Sequence, residues 1–173
     1  MVGIARRTEL IEKRAKELSD KKGKLYAFKV DLTREDEILS AFKWVEDNLG
    51  HVHVLINNAG FLSEELLSEG NTDTWKRGFN INVIAPCITT REAVKIMRKH
   101  DIKGHIIHIN SIAGHKVSPL PKTNVYPATK HAITALTDTL RQELNTLGSK
   151  IKVTVSRSSV VCLVFMRTLF LEC

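Results

Sequence analysis

The sequence predicts an α/β fold, a doubly wound parallel sheet covered by helices on both faces. Three observations predict it. Short apolar runs of strand length alternate with longer amphipathic, charge-rich stretches of helix length along most of the chain. The apolar runs read as buried strands, which in a parallel sheet lie between two helical layers. The 173 residues, 43% hydrophobic and 26% charged, suit one soluble globular domain without repeats or low-complexity segments.

Taken in order, Val2-Gly3-Ile4-Ala5 reads as the end of a buried strand, and Thr8 to about Lys21 as a helix rich in Glu, Lys, Leu and Ala, stopped by Gly23. Tyr26 to Val30 is a strand with Asp31 at its carboxyl end. Thr33, with Asp36 three residues on, predicts an N-cap for a helix that runs through Ile38, Phe42 and Val45 to about Asn48 and ends at Gly50. Val52 to Ile56 is the next strand. A helix around Thr72 to Arg77 leads into a longer one from about Asn80 to His100, with Pro86 shaping its first turns. Ile106 to Asn110 is a strand and Ile112 to Lys122 a loop punctuated by Gly114, Pro119 and Pro121. Helix resumes from Tyr126 to Leu147, Gly148 closes it, and Ile151 to Val155 is a further strand.

The net charge of +7 does not by itself predict a nucleic-acid partner. The basic residues interleave with acids, as in Glu12-Lys13-Arg14-Ala15-Lys16-Glu17, which is the pattern of a solvated helix face. Aromatics make up only 6%, too few for an evident base-stacking platform. No run approaches the ~20 apolar residues that span a bilayer. The N-terminus does not read as a signal peptide. The three cysteines, Cys87, Cys162 and Cys173, form no disulfide framework, so a reducing, cytoplasmic setting is expected. The histidines show no metal-ligand spacing, and no metal is expected; His51 and His53 read as surface or packing residues.

The chemistry concentrates in Ser111 and Tyr126-Pro127-Ala128-Thr129-Lys130. A tyrosine and a lysine four residues apart on a helix share a face. The ammonium then lowers the phenol's pKa and makes it a proton donor and acceptor near neutral pH. A serine at a strand end holds a carbonyl or alcohol oxygen beside it. Alone, the pair reads first as a surface tyrosine beside a solvated lysine. Further motifs accompany it: Val54-Leu55-Ile56-Asn57-Asn58-Ala59-Gly60, Asn80-Ile81-Asn82-Val83 and Ile106-Ile107-His108-Ile109-Asn110-Ser111.

In this order the motifs resemble the short-chain dehydrogenase/reductase family over about Val2 to Val155. The stretch from Gly104 to His115 looks most like the branch containing family member 11 and the insect farnesol dehydrogenases. The resemblance implies a Rossmann-like fold, an NADP-dependent oxidoreductase acting on an alcohol, ketone or aldehyde, and a homo-oligomer in complete members. Farnesol-like isoprenoids, steroids and retinoids are the implied substrate classes. It assigns Tyr126 as general acid/base and Lys130 as its pKa modulator and ribose contact. Ser111 becomes the substrate-orienting hydroxyl, and Asn82 the asparagine that holds a proton-relay water. Asn82 reads equally as a residue that kinks or caps a helix.

For the cofactor, Arg6 and Arg7 stand where an arginine suits a ribose phosphate, which favours NADP over NAD, although a basic helix start reads the same way. The resemblance implies that Glu12 meets the adenine end, that Asp31 and Leu32 form the adenine-contacting pair, and that Asn58, Ala59 and Gly60 line the adenosine side. Asp31 reads also as a helix cap, and the Asn-Ala-Gly run as an ordinary turn. Val160 and Val161 match residues on the nicotinamide side.

Two departures from the family follow. The glycine-rich pyrophosphate turn, with its strand and helix, has no counterpart, and strand 1 of the order 3-2-1-4-5-6 is central. Its lack predicts that strands 2 and 3 separate from strands 4, 5 and 6 and leave unpaired edges. At the other end Arg157-Ser158-Ser159 replaces the expected Pro-Gly. Residues 1–155 thus read as a partial nucleotide-binding domain and 156–173 as a divergent, apolar tail. The alternative is an inactive truncated fragment that associates with a full-length paralogue through its long helices.

Overall fold

The computed structural model describes residues 1–117 and 119–158. Its elements are β1 (Val2–Ala5), α1 (Thr8–Glu17), β2 (Tyr26–Lys29), α2 (Glu35–Leu49), β3 (Val54–Asn57), α3 (Thr72–Phe79), a π-helical turn (Asn80–Ile84), α4 (Ala85–Lys99), β4 (His105–Ser111), a 3₁₀ turn (Ile112–Gly114), α5 (Tyr126–Thr146) and β5 (Lys152–Ser158). Among the described residues every strand pairing is parallel, as the alternation predicts.

The strands form two sheets, β1-β2 and β3-β4-β5, and among the described residues no ladder joins β1 to β3. This is the division that the sequence reading expects. One core nevertheless serves both sheets. Ile4 and Phe28 of the first, and Leu55, Ile106 and Val153 of the second, pack on Ile38 and Phe42 of α2, Ile88 and Met97 of α4, and Leu144 of α5. The apolar side chains recur at three- and four-residue steps along α2 and α4, so each helix turns one stripe inward. Full burial of a side chain such as Ile38, Met97 or Ile106 contributes about 1.5–3 kcal/mol. On β3 the alternation leaves Val54 55% and Ile56 54% exposed, so the other face of that strand is uncovered.

Four boundaries differ from the sequence expectation. The first helix stops at Glu17 rather than Lys21, where Ser19 and Asp20 weaken helical preference. Thr33 is not the cap of α2, which starts after Arg34. The Asp31 carboxylate takes both the Thr33 amide (2.9 Å) and its hydroxyl (2.8 Å), so a charged acceptor claims the group that would have capped the helix. The third strand begins at Val54; Val52 lies outside it and packs against the core. The two helices expected around residues 72–100 are one continuous path, α3, π turn and α4. Asn71 caps α3 by accepting from the Asp73 amide at 2.7 Å. Pro86 cannot donate to residue 82 and its ring would clash with that carbonyl in an α-helix; the wider π turn, closed by the Ala85 amide on the Asn80 carbonyl, accommodates it.

Candidate active site

The carboxyl ends of the strands deliver the chemistry-bearing residues to one side of the molecule, as a doubly wound sheet requires. β4 ends in Ile109, Asn110 and Ser111, and α5 opens at Tyr126. The Lys130 side chain is only 2% exposed. Its Nζ donates to the Ile109 carbonyl at 3.0 Å and stands 5.6 Å from the centroid of the Tyr126 ring. A buried ammonium needs such acceptors to offset the loss of water.

Asn82, also 2% exposed, sits inside the π turn. Its Oδ1 accepts from the Phe61 amide at 2.7 Å, and its Nδ2 donates to the Phe61 carbonyl at 2.8 Å and to Thr129 Oγ1 at 2.9 Å. It thereby fastens the segment after Gly60 to α5. A Cβ on Gly60 would lie 3.9 Å from Asn82 Oδ1 and 4.0 Å from Lys130 Nζ, so Gly60, Asn82 and Lys130 meet in one place.

Ser111 Oγ accepts from the Ala113 amide at 3.1 Å, which folds the chain into the 3₁₀ turn after β4. That turn is riveted to α5. Asn110 Nδ2 donates to Thr134 Oγ1 at 2.9 Å, and Thr134 Oγ1 donates to the Gly114 carbonyl at 2.8 Å. Gly114 lies so close to α5 that a Cβ would sit 2.6 Å from the Lys130 carbonyl oxygen. The start of the 58–60 turn is anchored in turn by Asn57, which donates to Thr90 at 3.1 Å and accepts from Thr89 at 2.7 Å. Asn57 Nδ2 also lies 3.3 Å from Nδ1 of buried His108. Burial first, then the charges of Arg141 and Lys130, pull the His108 pKa down to about 4, so its ring is neutral near pH 7.

At the ends of β1 and β2, burial tends to raise the Asp31 pKa, but the two Thr33 hydrogen bonds and the nearby Arg6 and Arg77 outweigh it and hold the carboxyl below its usual range. Arg6 is exposed, Arg7 half-buried at the start of α1, and Glu12 exposed on α1. Leu32 packs partly against the core beside Val30. Asn58, Ala59 and Gly60 are half-buried. Val160 and Val161 lie outside the described residues.

Sequence reading missed Arg77, Phe61, Thr129, Thr134 and the role of Gly114. Arg77 belongs to no motif, yet its guanidinium lies over the Phe61 ring at 4.8 Å and its charge acts on Asp31. Phe61 and Gly114 act through their backbone, and Thr129 and Thr134 through hydroxyls that a helix face carries without any motif.

A cleft of about 850 Å³ between α2 and α4, lined in part by Phe42, Glu46, His51, Ile96 and His100, contains none of these residues and is not the candidate site. Among the described residues, no group of three or more His, Cys, Asp or Glu side chains could hold a metal. No helix there is long and apolar enough to cross a membrane.

A doubly wound α/β unit presents functional groups at the carboxyl ends of its strands, and here Gly60, Asn82 and Lys130 meet there, with Lys130 beside the Tyr126 ring. The family model for short chain dehydrogenases matches residues 1–168, and the chain belongs to that family. It is 44% identical over 163 residues to farnesol dehydrogenase of Aedes aegypti, covering 93% of this chain and 66% of the relative. It is 44% identical over 164 residues to dehydrogenase/reductase SDR family member 11 of Bos taurus, covering 93% and 64%. The chain therefore spans just under two-thirds of these relatives' length. A short-chain dehydrogenase/reductase from Burkholderia phymatum in complex with NAD has the same fold, with TM-score 0.84, 23% identity and coverage of 91% of this chain and 56% of that one. A metagenomic short-chain oxidoreductase in complex with NADP gives 0.80, 26%, 89% and 68%.

Proposed function

We propose that the chain is the cofactor and proton-transfer core of an NADP(H)-dependent oxidoreductase that interconverts an alcohol with a ketone or aldehyde. The carrying observation is the buried Lys130 ammonium, held on the Ile109 carbonyl beside the Tyr126 ring. The residues present fit a nicotinamide dinucleotide. Gly60 leaves room beside Lys130 for close approach, and Arg6 and Arg77 flank Asp31 with two positive charges against one negative. Asp31 and the 58–60 turn would hold the adenosine end, Arg6 and Arg7 a ribose phosphate, and Lys130 the nicotinamide ribose. The arginines are the support for NADP over NAD.

When bound, that cofactor supplies or takes up the hydride. In the reducing direction Ser111 donates a hydrogen bond to the substrate carbonyl oxygen and steadies the charge that develops there. The Tyr126 phenol gives that oxygen its proton as the carbon gains the hydride, which completes the alcohol. Lys130 lowers the phenol's pKa by stabilising its ionised form. Asn82 keeps Thr129 and the 60–61 segment in place around Lys130, where the family resemblance puts a proton-relay water. The substrate is an isoprenoid alcohol of the farnesol class, with steroid and retinoid alcohols as alternatives, and the setting is cytoplasmic.

The test is fluorescence titration of the purified full chain with NADPH and with NADH. Saturable binding in the micromolar range, tighter for NADPH and lost in a folded Lys130→Ala variant, is expected. No saturation with either nucleotide overturns the proposal. The separation of the two sheets favours a second reading, an inactive partner of a full-length paralogue joined through α4 and α5. Co-purification with such a paralogue, without nucleotide binding, is its signature.

A further inference from the structure

We propose that Glu65 is a positioning residue, a carboxylate latch that holds the turn launching α5 and thereby fixes where Tyr126 stands. The inference rests on the reading of Tyr126 as the proton-transfer group. Glu65 lies half-buried in the segment between the Gly60 turn and α3. Its Oε2 accepts from Asn124 Nδ2 at 3.2 Å and from the Asn71 amide at 3.4 Å, and its Oε1 accepts from the Thr74 hydroxyl at 3.4 Å. Its backbone forms an isolated parallel bridge with Thr123. One acceptor-only side chain thus ties the start of α3 to the stretch just before the catalytic helix.

That stretch needs holding. Lys122 and Asn124 both take left-handed backbone conformations, at φ 59° and 49°. Such conformations are unfavourable for a residue with a Cβ and persist when surrounding contacts over-determine them. Asparagine tolerates the region better than most residues, and at position 124 its side chain also supplies the donor to Glu65. The Thr123 carbonyl then accepts the Tyr126 amide at 3.0 Å. The latch therefore runs from Glu65 through Thr123 and Asn124 to the first residue of α5.

The experiment uses the full chain without nucleotide, in a Tyr26→Phe background. The sequence contains two tyrosines, so the ultraviolet titration then reports Tyr126 alone. Glu65→Ala is expected to speed hydrogen exchange at the Tyr126 amide roughly tenfold, the worth of about one charge-assisted hydrogen bond. It should also move the phenol titration to higher pH, while the amides of Met97 and Ile106 keep their protection. Asn124→Ala should reproduce both effects. Glu65→Gln should restore both, because its carbonyl can take the two donors on Oε2 and its amide can donate to the Thr74 hydroxyl.

Unchanged exchange and titration in both alanine variants overturn the latch. So does loss of protection throughout the chain that Glu65→Gln fails to rescue, which would make Glu65 a general stability residue. If the latch effects appear but NADPH does not bind, the proposed function fails and the latch stands.

Discussion

Replacing Gly114 with alanine places a methyl group where the fold leaves no room. The new carbon would sit 2.6 Å from the Lys130 carbonyl oxygen and 2.7 and 2.8 Å from the Asn110 side-chain nitrogen and oxygen. None of these can swing away cheaply: the first is backbone of α5, and the others belong to an amide held by Thr134. Relief requires α5 to move off the end of β4 or Asn110 to release Thr134. Overpacking of this kind costs about 1–3 kcal/mol, and a broken buried hydrogen bond about 1 kcal/mol more. For a domain of this size each kcal/mol lowers Tm by roughly 2–4 °C, so a fall of about 4–16 °C is expected. Thermal unfolding followed by far-ultraviolet circular dichroism measures it. Gly60→Ala is the matched control, because its nearest contacts at 3.9 and 4.0 Å are ordinary. It should melt within about 2 °C of the parent yet bind NADPH more weakly, since the methyl stands in the space beside Lys130. A Gly114→Ala chain that melts with the parent would refute the reasoning, because the close approach of the 3₁₀ turn to α5 would then not be real.

Asn82→Ala removes three hydrogen bonds and strands the amide and carbonyl of Phe61, so a loss of about 2–4 kcal/mol in urea unfolding is expected, with Asn82→Asp recovering part of it. His108 gives the stability a pH dependence. Its folded pKa is about 4, below the ordinary 6.5, so below pH 6.5 the unfolded chain takes up a proton that the folded chain resists. Stability from this residue is complete above about pH 6.5 and declines as pH falls toward 4, by on the order of 3 kcal/mol in total. Urea midpoints at pH 4.5 and 7 should converge in His108→Gln, and an unaltered pH slope in that variant would remove His108 as the cause. Arg91 pairs with Glu35 at 2.8 Å, but both side chains are about half exposed, so Arg91→Ala should change stability by less than about 1 kcal/mol in the same assay.

The order of elements and the parallel pairing were legible in the sequence because buried strands and amphipathic helices each impose a local periodicity. So was the division into two sheets, once the motifs indicated which strand had no counterpart. The meeting of Tyr126 and Lys130 was legible too, since four residues on a helix is a fixed geometry. The π turn was not. Pro86 signalled a disturbance, but only the packed path from α3 to α4 decided that the helix widens instead of breaking. The Thr33 cap failed because Asp31, two residues earlier, accepts both the amide and the hydroxyl of Thr33, a local turn that competes with the cap and that the capping pattern alone did not weigh.

What the sequence alone determined is therefore local: strand and helix periods, the Tyr–Lys spacing, and glycines such as Gly50, whose φ of 86° ends α2. What only the tertiary structure decided is which particular side chains meet between segments distant in the chain. Asn82 clasps Phe61 and Thr129, Arg77 joins the charge cluster at Asp31, Gly114 lets a turn touch α5, and Glu65 reaches Asn124 across 59 residues. The physical reason is that periodicity follows from the repeat of the backbone itself. A hydrogen bond or a close contact between remote residues depends on how whole elements pack, and a single side chain records that only as a composition any surface position could share.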